Sequence, residues 1–485
     1  MIKKNVNKIV MKKVLVALLV FSVFSVLGVS EATAQKNVTT HGTKYSIKNG
    51  VIEFKEPKRA KGQESMLEFR AEPMKVVRVG FVGLGMRGPG AVERFTHIPG
   101  VEIKALCDKY ADRAAGCQRY LEKADMPKAT EYSGDEGYKQ MCERDDIDLI
   151  YIATSWQTHV PIALYAMNHG KHVAIEVPSA PSLKDCWDLI DTSEKTRKHC
   201  MMLENCVYDF FELTCLNMAQ KGLFGEVLHT EGAYIHNLEP FWDAYADNWR
   251  LEFNQKHGGD VYATHGFGPC CEVLNIHRGD KMEYLTSMAT KSVNGLAIAK
   301  KKMGSETFAC GDHIVTLIQT KSGKSMEIQH NTFTPQPYSR MYQLTGTEGF
   351  ANKYPIEGFT FRNKNIDHSA TPDLEKLDEH DFIPDAAREQ MMQAYMHPIH
   401  KEVGEIAKQI GGHGGMDFVM DYRLVYCLQN GLPLDQDVYD LAEWCCIGEL
   451  SEASHAHKSM PVKVPDFTRG EWNKVKGLKF YMKGE

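Results

Sequence analysis

The 485-residue chain contains no Cys-x-x-Cys, no His-Glu-x-x-His and no Gly-x-Ser-x-Gly. These absences remove a zinc ribbon, a zinc protease helix and the nucleophile elbow of the α/β-hydrolases. His455-Ala456-His457 reads as a surface stretch, so no metal is expected. There is no Arg-Arg pair for twin-arginine export, and no Cys precedes Cys107 to carry a lipid. No internal repeat and no low-complexity segment occurs. The chain beyond residue 34 is mildly acidic, which argues against nucleic acid as a partner. One apolar run, Val14 to Val29, is short for the ~20 residues of a membrane span.

What is present is an ordinary globular composition, 43% hydrophobic and 25% charged, with net charge −6. At ~100–200 residues per domain, the length predicts two or three domains with real cores. The charge is unevenly placed. Residues 1–34 hold five lysines against Glu31, a net of +4, which leaves −10 on the rest. A basic start, the apolar run and Ala32-Thr33-Ala34 form the pattern of a cleaved export signal. The mature protein is therefore expected to be periplasmic or secreted, with no membrane span. The thirteen cysteines are odd in number and include the adjacent pairs Cys270-Cys271 and Cys445-Cys446. They read as small buried hydrophobes, an unusual usage for an exported chain.

Residues 35–74 read as an extended N-terminal arm. Val76 to Val82 is then a nearly continuous apolar run, as a buried parallel strand requires, and it leads into Gly83-Leu84-Gly85-Met86-Arg87-Gly88. In this GxGxxG the first glycine permits the tight turn, the second lets backbone approach a pyrophosphate, and the third packs helix on strand. The next predicted strand, Val101 to Cys107, ends at Asp108, placed to bind ribose hydroxyls and to repel a 2′-phosphate. This predicts NAD rather than NADP, a preference weakened slightly by Lys109 and Arg113. Strands at Ile147–Thr154 and His172–Glu176 alternate with helices over 89–97, 160–170 and 182–198. The fold class is α/β: a doubly wound Rossmann sheet over 75–203, then a C-terminal α+β substrate domain over 204–485 with a mostly antiparallel sheet.

The second half supports that division. Val227–Tyr234, Ile314–Gln319 and Ser325–Gln329 alternate as strands, the last two joined by a turn at Lys321–Lys324. A helix is expected over 214–221, and another helical stretch over 432–459. Residues 238–260, rich in Trp, Asp and Asn, read as a long functional loop. Tyr234 and His236 share one strand face, and Tyr262 and His265 share one helical turn. Arg250 lies in the Trp-rich loop, and Tyr338 in the proline-stiffened loop Pro335-Gln336-Pro337-Tyr338-Ser339. Trp156 and His159 follow a parallel strand at its carboxyl edge, where cofactors bind.

This layout resembles the Gfo/Idh/MocA oxidoreductases over about residues 75–470. In that family the fifth strand typically ends Glu-Lys-Pro with a catalytic lysine, whereas this chain reads Glu176-Val177-Pro178. Together with Met86-Arg87, Trp156-Gln157-Thr158-His159, Glu204-Asn205, Tyr234-Ile235-His236, Tyr262-Ala263-Thr264-His265-Gly266-Phe267-Gly268-Pro269 and Pro337-Tyr338-Ser339, the chain more specifically resembles glycoside hydrolase family 109. The activity implied is an NAD-dependent α-N-acetylgalactosaminidase. Position by position, the resemblance places Met86, Arg87, Asp108, Trp156, Gln157, Thr158, His159, Glu176, Val177 and Asn205 at NAD. It places Tyr234, His236, Arg250, Tyr262, His265 and Tyr338 around terminal α-linked N-acetylgalactosamine.

The implied chemistry is transient oxidation at sugar C3, loss of the aglycone by elimination, water addition at C1 and re-reduction. NAD would be held tightly and recycled, which suits an exported enzyme. His265, titrating near neutrality, is the candidate base for the C3 hydroxyl. Tyr234 is the candidate for the C2 proton and Tyr262 its rival; either needs a cation such as Arg250, or protonated His236, to lower its pKa. Glu204 is either an acid for the leaving group or a residue that orients Asn205. The alternative function is a secreted sugar oxidoreductase of the Gfo/Idh/MocA type. Oligomeric state is left open, a homo-oligomer included.

Overall fold

The computed structural model describes residues 37–362 and 379–483. The proposed export signal, residues 1–34, lies outside the described residues. Among them, no helix is long and apolar enough to cross a membrane.

Six strands form a fully parallel sheet: β3 (Val77–Val82), β4 (Val101–Asp108), β5 (Thr130–Ser133), β6 (Leu149–Ile152), β7 (His172–Ile175) and β8 (Cys200–Met202), in the order β5-β4-β3-β6-β7-β8. β1 (Tyr45–Lys48) and β2 (Val51–Phe54) precede them. Strands β6 and β7 are buried at every residue, the pattern of a sheet covered on both faces. The order reverses between β3 and β6, and this switch point opens a crevice at the carboxyl ends. The helix expected from residue 160 begins earlier, at Trp156, and so carries Trp156 and His159 on its first turn at that crevice.

The remaining strands are β9 (Val227–Ile235), β10 (Met282–Ala289), β11 (Ile314–Thr320), β12 (Ser325–Asn331), β13 (Tyr342–Gly346), β14 (Gly349–Asn352), β15 (Gly358–Phe361) and β16 (Val462–Lys463). With β1 and β2 they make a ten-stranded sheet, mostly antiparallel, in which β9 lies between β12 and β13. Part of the expected arm is thus a hairpin that joins this sheet through Ile52 and Val462. The α/β-plus-α+β class read from the sequence is borne out.

The helix Thr264–Val273 lies directly on β9. The approach is permitted by two glycines: a Cβ on Gly232 would sit 2.0 Å from the Gly266 carbonyl oxygen. This crossing brings His265 against Tyr234. The segment 238–260, expected as a loop, instead forms two short 3₁₀ turns and the helix Trp249–Lys256. Leu238, Trp242, Tyr245 and Leu251 give it a small core of its own with Phe333, so its aromatics hold the segment together as well as wall the cavity. The expected helical stretch 432–459 is two helices, Val438–Cys445 and Ile447–Ala456. All thirteen cysteines are buried and unbridged. Burial pushes their thiols up, Cys107 to about 12, so they stay protonated and inert.

Candidate active site

One cavity of about 1290 Å³ runs from the glycine-rich loop to the face of the ten-stranded sheet. Gly83 follows β3 with φ +91°, and a Cβ there would lie 2.5 Å from the Ala153 backbone. Behind it, a Cβ on Gly88 would meet the Gly83 carbonyl oxygen at 2.0 Å. Gly88 therefore packs the loop and is not on the cavity wall. Gly85 is on the wall, where a Cβ would meet only the Arg113 guanidinium, at 3.3 Å. Asp108, at the end of β4, accepts from Leu84 N (2.6 Å) and Tyr110 N (2.9 Å). The same carboxylate thus fixes the loop and faces the cavity where a ribose would bind. A cradle cleared of side chains and closed by an acid fits a dinucleotide without a 2′-phosphate.

The rest of this half is held by charge. Arg87 donates to Glu176 (3.3 Å) and to Asp417 (3.1 Å), and Asn205 donates to Asp417 (2.5 Å). Met86 is half exposed at the mouth, and Trp156 is buried with its ring stacked toward Tyr262 at 5.7 Å. Thr158 and Val177 line the cavity. His159 lies between the Thr154 and Pro178 carbonyls, at 3.0 and 3.1 Å, and its single ring N–H donates to one of them. Burial lowers its pKa to about 4. Gln157, expected at the cofactor, is exposed and off the wall, because it faces outward on the first helical turn.

The other half gathers the tyrosines and histidines. His265 Nδ1 stands 2.7 and 3.0 Å from the two oxygens of Glu204, which is fully buried just past β8. Burial alone would raise Glu204, but His265, the Cys206 N–H and the Arg340 charge hold it below the usual carboxylate range. An ionised carboxylate only accepts, so Nδ1 of His265 carries the ring proton and Nε2 is left as a base. Nε2 is 3.3 Å from the Tyr262 hydroxyl. Among the described residues, the side-chain partner of Glu204 is thus His265, not Asn205, which bonds Asp417. Burial also lowers the His265 pKa to about 4, against the pull of Glu204, so the ring is uncharged near pH 7.

Tyr234 and Tyr262 meet with ring centroids 4.6 Å apart, and the Tyr234 hydroxyl is 3.0 Å from His236 Nδ1. The Arg250 guanidinium covers the rings of Tyr262 (4.6 Å), Trp156 (5.0 Å) and Tyr245 (5.2 Å) and donates to the Tyr245 hydroxyl. Tyr338 stands edge-on to His236 at 4.9 Å. Two electrostatic expectations are corrected here. His236 is pushed down to about 4 by burial and is neutral. Burial raises the Tyr234 phenol, and Arg250 and Arg340 offset this only in part. No lysine stands where the Glu-Lys-Pro lysine would be. Lys353, which does reach the cavity, is paired with Glu212 and Asp209.

Sequence reasoning missed Arg340, His413 and Asp417, all on the cavity or bonded to its wall. Arg340 follows Tyr338 by two residues and carried no motif. Asp417 lies 330 residues from Arg87, a pairing that no spacing reveals.

A parallel sheet with this glycine loop defines the class as an NAD-binding oxidoreductase fold. Residues 77–204 match the oxidoreductase family with NAD-binding Rossmann fold. Among solved structures, a levoglucosan dehydrogenase in complex with NADH and levoglucosan aligns at TM-score 0.60 and 15% identity, over 80% of this chain and 100% of that one. The WlbA dehydrogenase from Bordetella pertussis, with NADH and UDP-GlcNAcA, aligns at 0.58 and 14%, over 82% and 100%. Residues 208–474 match the C-terminal domain of glycosyl hydrolase 109. A glycosyl hydrolase family 109 protein of Bacteroides fragilis is 62% identical over 431 residues, 88% of this chain and 93% of that one. Its counterpart from Bacteroides thetaiotaomicron is 58% identical over 458 residues (94% and 97%), and that of Porphyromonas gingivalis 54% over 467 (96% and 100%). The chain belongs to glycosyl hydrolase family 109, and its cofactor is NAD.

Proposed function

We propose that the protein releases terminal α-linked N-acetylgalactosamine from glycans and keeps its NAD through every cycle. The observation that carries this reading is that His265, Tyr234 and Tyr262 line the same cavity as the glycine loop, with Glu204 buried behind His265. Gly83, Gly85, Arg87 and Asp108 would hold the cofactor, with Trp156, Thr158, Glu176, Val177 and Asn205 around it. When bound, NAD would supply a reversible hydride acceptor for sugar C3.

The chain's own residues move the protons. His265 Nε2 takes the proton of the C3 hydroxyl, and Glu204 steadies the imidazolium that results. A C3 ketone acidifies the C2 proton. Tyr234 receives that proton while its own passes to His236 Nδ1, 3.0 Å away. This relay needs no standing phenolate, which the raised Tyr234 pKa would disfavour. Tyr262 completes the wall and keeps His265 Nε2 facing the sugar. The missing lysine at Val177 supports elimination over simple dehydrogenation. The basic, apolar start and Ala32-Thr33-Ala34 support export of this enzyme.

A chromogenic α-N-acetylgalactosaminide offered to purified protein without added cofactor tests the reading. Released aglycone with no net NADH is the expected result. Stoichiometric NADH and a keto-sugar would establish the sugar oxidoreductase instead.

A further inference from the structure

Among the described residues, Arg340 is a buried cation with no carboxylate in salt-bridge reach. Its residue is 6% exposed, and it lines the cavity beside Tyr338. Among the described residues, its Nη1 meets only sulfur, Cys206 Sγ at 3.2 Å and Met416 Sδ at 3.5 Å, and its Nε has no partner. Sulfur is a weak acceptor, and a guanidinium offers five donors. A buried charge left in this condition is costly unless a ligand completes it.

The fold fixes where this charge points. Ser339 pairs with Ile235 at the end of β9, so Arg340 is carried beside the Tyr234-Ile235-His236 face. Its field reaches the residues that handle protons: it draws down Tyr234, His236 and His265, behind burial and nearer charges in each case. Arg250 is the other buried cation here, but it is engaged by the Tyr245 hydroxyl and by three aromatic faces. Arg87 is committed to Glu176 and Asp417, and Lys353 to Glu212 and Asp209. Arg340 alone among these has no oxygen acceptor.

We propose that Arg340 holds the enolate oxygen formed on the sugar when the C2 proton leaves. The inference rests on the elimination reading given above. In the step, the C2–H bond breaks and its proton goes to Tyr234. The electron pair forms the C2–C3 double bond, and the C3 carbonyl electrons move onto oxygen as a full negative charge. That charge is stabilised by a preorganised cation on the cavity wall, and one such donor contributes about 10²- to 10³-fold in rate. When the aglycone leaves, the carbonyl re-forms and the oxygen becomes neutral. Arg340 therefore acts on the proton-removal step and little on the oxidation that precedes it.

The test uses holoenzyme and free N-acetylgalactosamine in D₂O. Two quantities are read: NADH formed in a single turnover, by nicotinamide absorbance, and deuterium entering C2, by proton NMR. For Arg340→Met, NADH formation stays within about threefold of wild type while C2 exchange falls by about 10²-fold or more. Arg340→Lys, which keeps the charge and loses the fork, keeps exchange within about tenfold. Should R340M fail to fold, Arg340→Gln is read in its place. Unchanged exchange in the neutral variant overturns the proposal. So does a parallel fall of both quantities, which would mark a structural role, or an R340K as slow as R340M. Wild-type protein that forms NADH without C2 exchange would overturn the elimination reading itself, a result distinct from all of these.

Discussion

At His265 two effects oppose one another. Burial drives the ring toward neutrality and the Glu204 carboxylate pulls it toward charge, with burial the stronger. A neutral ring with Nδ1–H fixed on Glu204 is ready to accept at Nε2, so His265→Ala is expected to lose about 10²- to 10⁴-fold in single-turnover NADH formation. Glu204→Gln presents an amide that can donate to Nδ1 and so favours the wrong tautomer; a loss of about 10²-fold or more is expected in the same assay. Tyr234→Phe is expected to leave NADH formation nearly intact and to stop C2 exchange; if exchange survives, Tyr262 is the base. The tyrosines and His265 were legible in the sequence because each pair sits at the spacing of one strand face or one helical turn. The Glu204–His265 bond was not legible, since it joins the edge of one sheet to a helix lying on the other.

Two elements set the cavity's width. The helix Thr264–Val273 lies on β9 only because Gly232 and Gly266 have no side chains. Gly232→Ala is expected to push that helix away and cost about 1–3 kcal/mol by thermal or denaturant unfolding. Activity should fall further than stability, because His265 is on the displaced first turn. The glycine loop is built alike: Gly88→Ala places a Cβ against the Gly83 carbonyl and is expected to yield protein that retains less NAD than wild type, read from the cofactor content of the purified enzyme. The parallel strands and this loop were plain in the sequence, since continuous apolar runs and a glycine signature are local. The helix within 238–260 was not legible, because it is held by Leu251 and Trp249 packing into a small core with Trp242, Tyr245 and Phe333, the last a contact made across the chain.

Across the whole molecule, buried histidines set the response to acid. Burial lowers His159, His265 and His400 to about 4, and His199, His330 and His397 to about 3. In the unfolded chain each titrates near ~6.5 and binds protons first. Their contribution to stability is present in full above about pH 6.5 and is lost as pH falls toward 4 and 3. His277 runs the other way: Glu443, Asp440 and Asp437 outweigh its burial and raise it to about 10, so its contribution is present in full below about pH 6.5 and is lost as pH rises from there through about 10. Asp260 and Asp421, raised by burial to about 7, act in the opposite sense between about pH 7 and 4, but the lowered histidines outnumber them. A melting series is expected to show a net fall in stability below about pH 6.5; a flat profile down to about pH 4 would contradict the burial of these rings.

If the glycosidic bond breaks by elimination from a transiently oxidised sugar, the C2 hydrogen must exchange with solvent. Hydrolysis of an α-N-acetylgalactosaminide in D₂O, followed by mass spectrometry and NMR of the released sugar, measures this directly. Elimination predicts deuterium at C2 of the product in every turnover, with the hydrogen at C3 retained. Product formed with protium at C2 would mean direct displacement and would contradict the mechanism.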